Sequence, residues 1–170
     1  MDFFSWSDWV SSAPGALHFL AALSALLLGI IVLKQPKGTK RHRVLGSIWV
    51  LLMMAINTSA FTMYDIAGRP NLFHFFAVVS FVTVAFGYVS IRRYALTGDA
   101  RYLANHQIYM TWGYFGLASA GAWQVIMRVL VEMELPFSYG LVLGTLIALT
   151  ILAGVLLNRY LMQRVSAGVA

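Results

Sequence analysis

Polarity along this chain changes in long blocks rather than residue by residue. Apolar stretches occupy residues 15–33, 44–64, 72–91, 106–131 and 138–157. Each approaches or exceeds the ~20 residues that a helix needs to cross a bilayer. The breaks between them are local: Gln35-Pro36-Lys37-Gly38, Gly68-Arg69-Pro70, Thr97-Gly98-Asp99, and Pro136 before the last stretch. Proline removes a backbone donor and glycine favours non-helical dihedrals, so both punctuate helices. The pattern predicts an all-α integral membrane helical bundle of five transmembrane helices, a four-helix cofactor bundle plus one. It forms a single domain over residues 1–170 with no soluble module.

Composition agrees. Hydrophobic residues make up 60% of the chain and charged residues 11%, against about 25% charged in soluble domains. Cysteine is absent, which excludes disulfides, thiolate metal sites and cysteine catalysis. The net charge of +6 orients a membrane protein rather than binding nucleic acid.

The twelve basic residues divide unevenly. Lys34, Lys37, Lys40, Arg41 and Arg43 follow the first stretch, Arg92, Arg93 and Arg101 follow the third, and Arg159 and Arg164 follow the fifth. Only Arg69 and Arg128 fall on the other side. Acidic residues divide the opposite way, Asp2, Asp8, Asp65, Glu132 and Glu134 against Asp99. Positive-inside logic places the N-terminus outside and the C-terminus in the cytoplasm. Phe3, Phe4, Trp6, Trp9 and Val10 predict an interfacial aromatic segment over residues 1–12; a disordered tail is the alternative. Asp2 and Asp8, with no basic n-region, argue against a cleaved signal peptide.

Four histidines, His18, His42, His74 and His106, each stand near the start of a different apolar stretch. Antiparallel spans bring His18 and His74 to the outer face, and His42 and His106 to the inner one. At ~1.5 Å of rise per residue, His18 and Lys34 are about 24 Å apart along the axis, so the couples sit at separate depths. Neutral imidazole is a good axial ligand for haem iron, and helical bundles build cofactor sites from facing helices. Two bis-histidine haem b groups, one near each membrane face, are therefore expected, with these four histidines as metal ligands. Any one of the four, taken singly, reads more readily as an interfacial side chain meeting headgroups and water; the four together point to the ligand pairs.

Small residues follow the histidines: Ala22, Ala25 and Gly29 after His18, Gly46 after His42, Gly113 and Gly116 after His106. They would admit a flat cofactor, or equally let two helices meet with nothing between. Anionic propionates want cationic partners, which Lys37, Lys40, Arg41 and Arg43 offer around His42, Arg101 before His106, and Arg69 and Arg128 on the outer side. Arg128, with Gln124 one turn earlier, is one of few charges inside a span and a candidate on that ground. Its plain alternatives are pairing with Glu132 or snorkelling to the interface.

The stretches His18-Phe-Leu-Ala-Ala-Leu, Lys37-Gly-Thr-Lys-Arg-His42-Arg-Val-Leu-Gly46 and Asn105-His106-Gln-Ile-Tyr-Met resemble a family of bacterial predicted multi-span membrane proteins of unknown function. A Lys-Gly-Thr-x-x-His-Arg-x-Leu-Gly segment opens the second span in that family. Gln107 and Ile108 stand where the family commonly has basic residues. The resemblance implies a multi-pass protein of the bacterial cytoplasmic (inner) membrane and supplies no reaction. In geometry, not sequence, the histidine layout is similar to transmembrane di-haem b-type cytochromes.

Asn57, Thr58, Ser59 and Thr62 form a polar cluster, and Ser80, Thr83, Gly87 and Ser90 a second stripe. These line a quinone pocket or water path, or bond neighbouring helices or their own backbone. Gly140, Gly144 and Ala148 repeat every four residues and predict a close helix contact, within the bundle or in a homo- or hetero-oligomer. No carboxylate lies at mid-depth in a span, and no nucleophile has a positioned base, so proton-coupled transport and hydrolysis are disfavoured. Three classes stay open. The first is a b-type electron carrier, as an enzyme a haem-dependent membrane oxidoreductase, with a quinone or another redox protein as partner. The second is a non-haem metal-binding membrane protein, and the third an accessory or scaffold subunit without cofactor.

Overall fold

The computed structural model describes residues 13–61, 72–132 and 138–166. They form five helices: α1 (Ala13–Lys34), α2 (Lys40–Ala60), α3 (Leu72–Thr97), α4 (Ala100–Glu132) and α5 (Tyr139–Ser166). No strand occurs among the described residues. The aromatic segment over 1–12, Thr62, Asp65, Arg69, Glu134 and the breaks at Pro70 and Pro136 lie outside them. The chain divides into two compact units, Met1–Val89 and Ser90–Ala170.

Among the described residues, four helices are long and apolar enough to cross a membrane: Ala13–Lys34, Lys40–Ala60, His74–Thr97 and Gly140–Gln163. Their surfaces explain where the hydrocarbon goes. On α1 the buried positions are Gly15, Ala21, Ala25 and Gly29, while Leu17, Leu20 and Leu27 are more than half exposed. Large side chains outside and small ones inside reverse the arrangement of a water-soluble helix. In lipid, where leucine gains nothing by burial, helices associate through close backbone approach instead. α4 differs. At 33 residues it is the longest helix, but Asn105, His106, Gln107, Gln124 and Arg128, with its tryptophans, tyrosines and glycines, dilute the apolar run the sequence suggests.

The two short connections use one device. Gly38 and Gly98 both adopt positive φ, 77° and 68°, a conformation costly for residues with a Cβ. Each is followed by a helix-capping side chain. Thr39 Oγ1 accepts from the His42 backbone N–H at 3.1 Å to open α2. Asp99 Oδ1 accepts from the Arg101 backbone N–H at 2.9 Å to open α4. Such caps satisfy donors that the first helical turn leaves orphaned. Arg101 folds back on Asp99 as an ion pair at 2.8 Å, holding the exposed Asp99 carboxyl below the usual carboxylate range.

In the second unit, α4 and α5 meet through tryptophan and small residues. A Cβ on Gly154 would lie 3.2 Å from Cη2 of Trp112, so the indole rests directly on the α5 backbone. Phe115 meets the same ring edge-on, centroids 5.4 Å apart. Trp123 Nε1 donates to Thr150 Oγ1 at 3.0 Å, and Thr150 Oγ1 donates to the Leu146 carbonyl at 2.8 Å.

Candidate functional site

The first unit carries three of the four histidines. Its α1–α2 connection accounts for most of the Lys37–Gly46 segment. Lys37 Nζ donates to the last carbonyls of α1, Leu33 at 2.7 Å and Val32 at 3.2 Å, a cation on a helix C-terminus. Burial there holds its ammonium below the usual lysine range. Thr39 Oγ1, the α2 cap, also donates to the Pro36 carbonyl at 3.0 Å. Gly46 of α2 faces α1: a Cβ there would sit 3.9 Å from Val32, an ordinary contact. Lys37, Gly38 and Thr39 thus serve the turn. The His42 side chain lies against the same end of α1, toward the Val32 carbonyl, while its Nδ1 is buried without a hydrogen bond.

Along the rest of the pair, α1 presents its small face to α2. Trp49, 4% exposed, donates from Nε1 to the Ala25 carbonyl at 3.0 Å. A buried indole N–H needs an acceptor, and the small side chain of Ala25 leaves that carbonyl open to Trp49. Of the small residues after His18, Ala25 therefore serves a helix contact. Ala25 is fully buried in that role.

At the far end of the pair the interior turns polar. His18 Nδ1 lies 3.2 Å from the Ile56 carbonyl and 3.0 Å from Ser59 Oγ. A carbonyl only accepts, so Nδ1 carries the proton. Ser59 accepts as well, since its hydroxyl donates to the Ala55 carbonyl at 2.8 Å. In the neutral ring the lone pair then belongs to Nε2. No partner for that nitrogen occurs among the described residues. This is the tautomer and the backing contact that histidines bound to metal characteristically have.

His74, at the start of α3, is 7% exposed, and its ring stands 6.4 Å from that of Phe61, just past the end of α2. Both histidines of the expected outer couple thus flank one short segment, residues 56–61. Between their contact points Asn57 is 2% exposed, and its Nδ2 is buried without a hydrogen bond. Thr58 and Ser59 donate to carbonyls of their own helix, Met54 for Thr58 and Ala55 for Ser59.

The other sequence candidates are more dispersed. His106 stands in the second unit, half-buried. It does not open its helix, because Asp99 starts α4 earlier and leaves His106 well past Ala100. Arg41 and Arg43 are exposed on the first turn of α2, and Arg128 is half-buried on α4. Gly140, Gly144 and Ala148 are exposed; α5 meets α4 through Leu146, Thr150 and Gly154 instead. Thr83 Oγ1 donates to the Val79 carbonyl at 2.7 Å, a bond within its own helix. No cluster of three or more histidine or carboxylate groups able to hold a metal occurs among the described residues. That disfavours a four-ligand non-haem centre and leaves two-ligand haem chemistry untouched.

Sequence reading overlooked Trp49, Trp123 and the His18–Ile56 bond. The tryptophans had a signal, an indole N–H inside an apolar helix. The histidine bond had none, because its acceptor is a backbone carbonyl on another helix.

A family model described as Predicted membrane protein (DUF2306) matches residues 15–164. The chain belongs to this family. No curated protein and no solved structure matches it. The family's description fixes membrane character and assigns no reaction.

Proposed function

We propose that this family member is a transmembrane electron carrier of b-type cytochrome character. His18 and His74 hold one haem at the Ser59–Phe61 end of α2. His42 and His106 hold the other, a pairing that rests on span order in the sequence alone. The observation that carries the reading is the His18 imidazole, backed through Nδ1 by the Ile56 carbonyl with Nε2 left as ligand. Such backing orients the ring and raises its basicity toward iron. His74 enters the same end from α3, where Phe61 contacts its ring.

When bound, haem supplies one-electron chemistry, and two haems at different depths carry electrons across the bilayer. The chain's residues would orient the imidazoles, exclude water with apolar walls, and meet propionates near the turns with Arg41, Arg43 and Arg128. Charge asymmetry supports an N-terminus outside and a cytoplasmic C-terminus, and the sequence resemblance supports placement in a bacterial inner membrane.

The visible spectrum of the purified protein tests this. Reduced-minus-oxidised bands of low-spin b-type haem at about two per chain are the expected result. A colourless protein without iron sinks the proposal. It would favour the accessory-subunit reading, in which the His18–Ile56 bond merely joins two helices.

A further inference from the structure

The two short turns treat their cations differently. At the α3–α4 turn Arg101 is neutralised by Asp99 at 2.8 Å. Arg93 lies over the Tyr102 ring, 5.7 Å from its centroid, and its Nη1 donates to the hydroxyl at 3.4 Å. At the α1–α2 turn Lys37 is answered by the carbonyls that end α1. Lys34 and Lys40 are exposed and meet no carboxylate, since none occurs among the described residues of the first unit. In sequence, Asp2 and Asp8 precede α1 and Asp65 follows α2, the ends away from this turn. The carrier reading uses neither lysine.

Each lysine tops a strip of exposed hydrocarbon. Lys40, Val44, Ile48 and Leu51 follow helical spacing along one face of α2, and all four are exposed. That face is turned away from Trp49 and Met53, which are buried. On α1, Lys34 stands above Ile30 and Leu27, both exposed, on the side away from the buried Ala25 and Gly29. Lys34 is the last residue of α1 and Lys40 the first of α2, so both ammonium groups stand at headgroup level with apolar surface below them. A zwitterionic headgroup brings its own cation and leaves the lysines in excess. Free phosphate supplies the charge and makes no use of the strips. A phospholipid of net negative charge answers both.

We infer that Lys34 and Lys40 bind the phosphate of an anionic phospholipid at the α1–α2 turn, its acyl chains lying along the outward faces of α1 and α2. This goes beyond the haem assignment and does not require it.

The test takes the full chain in mixed micelles holding equal amounts of phosphatidylglycerol and phosphatidylcholine, with retained lipid counted by native mass spectrometry. Wild type is expected to retain phosphatidylglycerol in preference. Lys34→Gln and Lys40→Gln should each weaken that retention about fivefold, the contribution of one basic residue beside anionic lipid, and leave phosphatidylcholine unchanged. Lys40→Arg keeps the charge and should keep the lipid. If Lys40→Gln disturbs insertion, Lys34→Gln carries the test, because the other cations of the turn remain. Arg159→Gln removes an exposed cation from α5 and should have little effect. An equal loss there would mean diffuse attraction to net charge and would overturn the inference, as would equal retention of the two lipids by wild type. Inorganic phosphate, matched in ionic strength by chloride, forms the last arm. Displacement of the lipid by phosphate and not by chloride would make this a free-anion site and sink the lipid assignment. The readout is lipid rather than colour, so failure here is distinguishable from failure of the carrier proposal.

Discussion

The α1–α2 pair and the α4–α5 pair solve the same packing problem with the same residue and end differently. In the first, Trp49 packs on α1 and its Nε1 finds an oxygen there; in the second, Trp112 rests on Gly154 while the Nε1 of Trp123 finds the oxygen. Trp49 reaches a backbone carbonyl, Ala25, whereas Trp123 reaches a side-chain hydroxyl, Thr150. The first pair then continues into a polar end with His18, Ser59 and Asn57. The described contacts of the second remain tryptophan, phenylalanine, threonine and glycine. Packing by tryptophan and small residues is thus common to both pairs, and the polar end of the first carries the functional proposal.

Substituting the histidines should break the comparison most severely. His18→Ala and His74→Ala are each expected to remove one haem of two while leaving the other spectrum intact, and His42→Ala should remove the complementary one. Loss of both haems in every variant, with the helical circular dichroism retained, would contradict independent sites.

Glycine replacement should separate the pairs next. Gly154→Leu must displace Trp112 or the α5 backbone, and overpacking of this kind costs about 1–3 kcal/mol. Gly46→Ala meets only Val32 at ordinary contact distance, and is expected to be neutral or slightly stabilising by favouring helix. Reversible unfolding in mixed micelles checks both; equal costs would mean the two contacts are equally tight.

At the turns the pairs should behave alike. Gly38→Ala and Gly98→Ala each force a Cβ into the left-handed region, costing about 1–2 kcal/mol. A clear disparity between them would show that one connection relaxes.

The smallest effect is expected from pH at the second turn. Asp99 has a folded-state pKa depressed chiefly by its hydrogen bond to Arg101. Its contribution is therefore present above the unfolded carboxylate pKa and lost as pH falls through the lower folded value. Asp99→Asn should flatten this acid-side dependence of unfolding. Because the pair is exposed, the change should be slight.

Much of the architecture was legible in the sequence because membrane spans and helix stops leave independent marks. Hydropathy locates hydrocarbon, and caps locate helix ends; the two diverge wherever a helix outruns the bilayer. The third apolar stretch fades at Ile91, but α3 continues through Arg92, Arg93 and Tyr94 to Thr97, because Gly98 is the first residue to stop it. The fourth begins, by apolarity, at His106, while Asp99 caps the helix earlier. The site was legible only as a set of residue types at matched levels. That His18 would be backed by Ile56 depends on how two helices are rotated about their axes, and the near-featureless periodicity of α1 says little about rotation.

The lysine that closes the first turn has two successive lives. While the chain is being threaded into the membrane, Lys37 counts among the positive charges that keep this segment from crossing. Once α1 has folded, the same ammonium binds the carbonyls of Val32 and Leu33. Its charge is then answered by the end of the helix it helped to hold in place, leaving Lys40, Arg41 and Arg43 to face the headgroups.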